Sequence, residues 1–158
     1  MRTLIIFSSS HGTTEKAAQL LKKQLNGEVE LINLKKLSNP PLTDYDSVIL
    51  GSSIYAGSVK SKVKQFIKQN QKALMTKHLG LFLCCMFEGE KAEQQFETTY
   101  PKELREHSKA NGLFGGEFLV SKMNFIERQI VKKVAGVTSD VSKINVEEIE
   151  RFAEKLNA

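Results

Sequence analysis

Leu4 to Phe7 is a short, unbroken apolar run that ends in a cluster of serines. Such a run predicts a strand buried on both faces. From Thr13 to Leu25 the period changes, with Ala17, Leu20, Leu21 and Leu25 at helical spacing and Gly27 just past the end. Val29, Leu31, Ile32 and Leu34 predict a second strand, Asn39-Pro40-Pro41 a loop, and Tyr45 to Leu50 a third strand ended by Gly51-Ser52-Ser53. Val59 to Leu74 reads as a helix with Val63, Phe66, Ile67 and Leu74 facing inward, and Leu79 to Met86 as a fourth buried strand. Lys91 to Ala110 is helical with a break near Tyr100-Pro101, where proline cannot continue the hydrogen bonding. Leu113 to Val120 predicts a fifth strand containing Gly115-Gly116, and two helices follow, near Met123 to Ala135 and Val146 to Leu156.

Strands alternating with helices predict an α/β domain with a parallel sheet covered on both faces. Five strands in so short a chain fit the doubly wound order 2-1-3-4-5, which reverses beside strand 1. A ligand is expected over the carboxyl ends of strands 1, 3 and 4, so the loops there carry the functional question. At 158 residues, with neither repeat nor linker, one domain spanning 1–158 is expected.

Composition narrows the picture. Apolar residues make up 41% and charged residues 26%, which excludes collagen-like, coiled-coil and disordered chains. The only cysteines, Cys84 and Cys85, are adjacent, so there is neither a disulfide framework nor a metal-binding CxxC pair. On a strand they point to opposite faces and read as buried core thiols. The opening apolar run is too short for a signal peptide or a membrane span, which predicts a cytoplasmic location. The net charge of +5 permits an acidic partner or an anionic membrane and does not single out nucleic acid.

The loop after strand 1 reads Ser8-Ser9-Ser10-His11-Gly12-Thr13-Thr14-Glu15 and opens a helix. Successive amides at a helix start form a nest for an anion, hydroxyls add neutral donors, and Gly12 lets backbone approach closely. A helix cap needs one such residue; this loop has five hydroxyl residues among seven. A phosphate-binding loop is expected. Neither GxxxxGK[ST] nor GxGxxG is present, which sets aside nucleotide P-loop and dinucleotide sites. A receiver domain would need acids after strand 1 and an aspartate ending strand 3, where this chain has serines and Gly51-Ser52-Ser53.

The Ser8 to Glu15 stretch resembles the phosphate loop of flavodoxins, whose pattern is [ST]-x-[ST]-G-x-T. The resemblance implies FMN, with Ser9, His11, Thr13 and Thr14 at the side-chain phosphate positions and Ser10 and Gly12 within the same loop. His11 departs from the usual hydroxyl. The resemblance also places the isoalloxazine between two further loops. After strand 3, Ser53-Ile54-Tyr55-Ala56-Gly57 offers Ile54 and Tyr55 for stacking and Gly57 for close approach. After strand 4, Cys85-Met86-Phe87-Glu88 offers backbone contacts and the aromatic Phe87.

A plain 2-1-3-4-5 domain needs one helix after strand 5, and Val146 to Leu156 suits it. The helix around Met123 to Ala135 is therefore extra. Met123, Ile126, Ile130, Val131 and Val134 form one apolar arc, with Lys122, Arg128, Lys132 and Lys133 elsewhere on the wheel. That arc fits either a covered core helix or an interfacial helix, residues 122–135, touching a membrane or a partner. The helix after strand 3 adds Lys60, Lys62, Lys64, Lys68 and Lys72 and no acid, a charge pattern that favours a flavin gaining negative charge on reduction.

The surplus segment narrows the resemblance. Gly115-Gly116-Glu117-Phe118-Leu119, Met123 to Arg128, Thr3 to Ser8 and Gly51 to Ile54 are together similar to the menaquinone-dependent protoporphyrinogen dehydrogenase family. This implies an FMN-dependent oxidoreductase passing electrons from a porphyrinogen to a quinone, with the flavin carrying the chemistry and no catalytic side chain or metal. The alternatives are an electron carrier between redox partner proteins, and a flavodoxin-like domain without FMN.

Overall fold

The computed structural model describes residues 1–9, 11–55, 58–59 and 61–158, without the side chains of 55, 58, 59 and 61. The chain runs β1 (Arg2–Phe7), α1 (Thr13–Gln24), β2 (Glu28–Asn33), β3 (Ser47–Tyr55), β4 (Ser58–Val59), α2 (Ser61–Leu74), β5 (His78–Cys84), α3 (Gly89–Thr99), α4 (Lys102–His107), β6 (Ala110–Leu113), β7 (Gly115–Phe118), α5 (Phe125–Ala135), β8 (Val141–Ile144) and α6 (Val146–Asn157). The main sheet has the order β2-β1-β3-β5-β6, all parallel, which is the predicted 2-1-3-4-5 winding. β4 folds back antiparallel on the end of β3, pairing Ile54 with Val59.

Alternation along the central strands sends side chains to two cores. Leu4, Ile6, Val48, Leu50, Leu81 and Leu83 meet Phe66 of α2, Phe96 of α3 and Leu104 of α4 on one face. Ile5, Phe7, Ile49 and Phe82 meet Ala17 and Leu21 of α1 and Ile149, Phe152 and Leu156 of α6 on the other. Phe82 stacks on Phe114 at 4.5 Å between ring centroids, and Phe152 meets Phe114 edge-on at 5.1 Å. Gly51 sits where any Cβ would overlap the Phe82 ring. Cys84 and Cys85 lie in opposite cores, as their adjacency on a strand predicts.

The fifth strand differs from expectation. Its place in the main sheet is taken by Ala110–Leu113, and Gly115–Phe118 leaves the sheet to pair antiparallel with Val141–Ile144. The break lies at Gly115, whose φ of 74° turns the chain; a Cβ there would overlap the Lys143 carbonyl. The predicted strand from Leu113 to Val120 thus spans two elements in two sheets, and the helix expected from Val59 begins at Ser61. Residues 115–144 form an insert: the β7–β8 ribbon with α5 between its strands.

Candidate functional site

β1, β3 and β5 end side by side, so the three loops that follow them converge. Gly12 precedes α1 in the left-handed region at φ 91°, and its N–H donates to Ser9 Oγ at 3.0 Å. Among the described residues no side chain caps α1. Its first amides, from Thr13 to Glu15, lack intrahelical acceptors by helix geometry. Thr14 Oγ1 is buried against the Cys84 thiol, a weak partner, and has no other among the described residues; Ser52 Oγ on β3 is buried and, among the described residues, unpartnered. Buried hydroxyls of this kind are costly unless a ligand or water satisfies them. Burial pushes the Cys84 thiol up to about 12, and it pushes Cys85 up as well, so both stay protonated at neutral pH. This matches their reading as core thiols.

A cavity of about 30 Å³ opens between the loops. Ser9, His11, Thr13 and Thr14 line it from the first loop, Ser53 and Ile54 from the second, and Cys85 and Met86 from the third. Phe87 lies just outside, on an apolar cavity of about 20 Å³ with Ile54 and Met86. One face of the Phe87 ring is covered by the Lys91 ammonium at 4.1 Å from its centroid. Glu88 is exposed before α3 and lines neither cavity. Ser10, Ala56 and Gly57 and the Tyr55 side chain lie outside the described residues, and the stacking expected of Tyr55 with them.

The insert supplies the remaining walls. Gly116, Glu117, Leu119 and Met123 line the first cavity, and Phe118, Val131, Val134 and Ala135 line the second. Glu117 is the residue that sequence reasoning missed as part of the site. Its side chain is 3% exposed. It accepts from Thr13 Oγ1 at 3.0 Å, Lys16 Nζ at 3.1 Å and Ser142 Oγ at 2.7 Å. Burial raises its carboxyl, but the hydrogen bonds from Ser142, Lys16 and Thr13 outweigh it, so the group is held below the usual carboxylate range. Glu127 was missed too: His11 Nε2 lies 2.8 Å from its Oε2. Glu127 also closes a capping box with Asn124 at the start of α5. One signal was available, an acid at 117 inside an otherwise apolar and glycine-rich stretch.

The apolar arc of α5 is divided. Val131 is 1% exposed and Met123, just before the helix, is buried; Ile126 is 69% exposed and Phe125 72%, and Ile130 and Val134 are also exposed. Neither expectation for this helix holds alone, because it both covers the site and presents apolar side chains outward. Among the described residues, no helix is long and apolar enough to cross a membrane and no cluster of side chains could hold a metal ion.

The flavodoxin domain family model matches residues 4–145. The chain belongs to the flavodoxin domain family. Flavodoxin 2 of Bacillus cereus superimposes with a TM-score of 0.64 over 99% of this chain and 97% of that one, at 20% identity. Among curated proteins, the protoporphyrinogen IX dehydrogenase [quinone] of Escherichia coli K12 is 32% identical over 77 residues, 47% of this chain and 42% of that protein. The chain thus spans less than half the length of that relative. The Leishmania major protein of the same name is 24% identical over 155 residues, 90% of this chain and 67% of that protein. An uncharacterized protein of Methanocaldococcus jannaschii is 32% identical over 125 residues, 75% of this chain and 73% of its own.

Proposed function

We propose that this flavodoxin-family chain binds FMN and oxidises a small-molecule donor, with a porphyrinogen as substrate and a quinone as acceptor. The donor set supports the cofactor: the uncapped α1 amides, the hydroxyls of Ser9 and Thr13, and the buried Thr14 hydroxyl suit a phosphate held by neutral donors. When bound, FMN would supply the two-electron relay between donor and quinone. The chain's part is to orient it and exclude water. Ile54, Met86 and Phe87 offer apolar contact from the sheet side, and Phe118 and Val131 close over them from the insert. The observation that carries the enzyme reading is this second wall. A carrier that meets only proteins needs an open edge, whereas here an apolar cleft is bounded on both sides.

Exposed Phe125, Ile126, Ile130 and Val134, with Arg128, Lys132 and Lys133 on the same helix, suit a peripheral contact with an anionic membrane, where a quinone would be found. The basic run of Lys62, Lys64, Lys68 and Lys72 on α2 instead favours a carrier that meets an acidic redox partner. Titration of the apo-protein with FMN, followed by anaerobic addition of a porphyrinogen, separates the readings. Direct bleaching of the bound flavin, with reoxidation by a quinone, supports the oxidoreductase. Bleaching only by a reductase supports the carrier, and indifference to FMN removes both.

A further inference from the structure

Thr13 has a single hydroxyl proton, and Glu117 Oε1 already accepts it at 3.0 Å. The Lys16 ammonium donates to the other oxygen of the same carboxylate at 3.1 Å. His11, at a second side-chain phosphate position of the loop, faces Glu127 at 2.8 Å. Both acids come from the insert, and Glu117 is almost wholly shielded from water. One proton cannot be donated to a carboxylate and to a phosphate oxygen at once. Leaving an ionised carboxylate beside an incoming phosphate would add like-charge repulsion in a poorly hydrated place. The insert also carries a cation to this spot: Lys122 Nζ lies 3.9 Å from where a Cβ on Gly12 would stand.

We propose that Glu117 and Glu127 occupy the phosphate loop as internal stand-ins for a phosphate, and that a phosphorylated flavin displaces them, its phosphate meeting the Lys122 ammonium beside Gly12 instead. The inference rests on the FMN reading above. Anion exchange at the loop then moves the insert outward, leaving it as the outer wall over a bound flavin. The first cavity, about 30 Å³, is roughly a tenth of the ~300 Å³ at the low end of ligand pockets, so a flavin needs that opening. Phosphate occupancy is thereby coupled to the wall formed by Phe118 and Val131 over the other end of the cleft. The same exchange makes the insert a specificity element, since riboflavin lacks the group that displaces the acids.

The test compares FMN and riboflavin binding by fluorescence quenching in the parent, Glu117→Gln, Glu127→Gln, the double variant and Lys122→Gln. Glutamine keeps the capping box at 127, and the melting temperature of each variant reports its fold. Displacing a charge-assisted hydrogen bond is worth enough that the double variant should bind FMN about tenfold tighter, with riboflavin changed by less than about twofold. Lys122→Gln should move FMN in the opposite direction. In the parent, FMN should speed hydrogen exchange in residues 123–135; in the double variant exchange there should be fast from the start. An unchanged ratio of FMN to riboflavin affinity, or weaker FMN binding in Glu117→Gln, overturns the exchange and leaves FMN binding intact. Failure of parent and variants to bind either flavin overturns the FMN reading and the exchange with it.

Discussion

The central sheet and the insert are held by different physics. The sheet is sealed by apolar burial on both faces, with Phe82, Phe114 and Phe152 packed ring on ring. The insert has few fully buried apolar side chains, Met123 and Val131 among them, and is tied down mainly by Glu117, Glu127 and the strand pairing of β7 with β8. Packed cores do not deform gradually, whereas a segment held by a few charged contacts can release when one partner changes. A rigid frame therefore carries the three loops that follow β1, β3 and β5, and a less firmly held flap covers them.

The largest effect should come from breaking the frame. Phe114→Ala removes a ring that touches both Phe82 and Phe152 and should cost about 3–5 kcal/mol, read as a lower urea midpoint with the whole molecule unfolding together. Asn124→Ala attacks the flap by deleting the side-chain acceptor of the α5 capping box. About 1 kcal/mol is expected, and it should surface as faster hydrogen exchange in α5 while the global midpoint barely moves. A drop in the midpoint as large as that of Phe114→Ala would erase the distinction between the two regions.

Acid should loosen the flap before the frame. Folded Glu117 titrates below its unfolded value of about 4.3. The stability it contributes is therefore complete above that value and is lost as pH falls through the lower folded one. Glu117→Gln should flatten this acid loss in the hydrogen-exchange protection of β7 and α5 followed from pH 7 to pH 3; an identical limb in parent and variant would show the carboxylate to be idle. The smallest effect concerns charge at a distance. Replacing Lys64 or Lys68 by Gln should lower the potential of the final flavin reduction by about 10 mV each at low salt, measured by potentiometry, and the shift should vanish at high salt.

How much could be read in advance follows the same division. Leu4 to Phe7 and Leu79 to Leu83 are continuous apolar runs, and Phe66 and Phe152 sit at helical spacing, so strands, helices and winding were visible in local pattern. The hydroxyl-rich loop was visible for the same reason, since its members are neighbours. β6 was not, because Ala110-Asn111-Gly112 carries no branched or aromatic side chain to mark a strand. β8 was not, because four residues of Val-Ser-Lys-Ile form a strand only once Gly115–Phe118 is there to pair with them. The contacts of Glu117 with Thr13 and of Glu127 with His11 join residues 104 and 116 positions apart, and no local pattern encodes such a meeting.

The ribbon that closes the insert has one more consequence. Gly115 pairs with Ile144, and the Asn145 amide donates to the Phe114 carbonyl at 2.8 Å, so the chain leaves the parent scaffold and rejoins it at a single doorway. Everything between those two points can be shortened, lengthened or exchanged without re-threading the sheet, and the entropic cost of a longer excursion rises only logarithmically. The architecture behaves as a socket with a removable cassette. The same scaffold can carry a different cover by changing a stretch of chain whose two ends are pinned side by side.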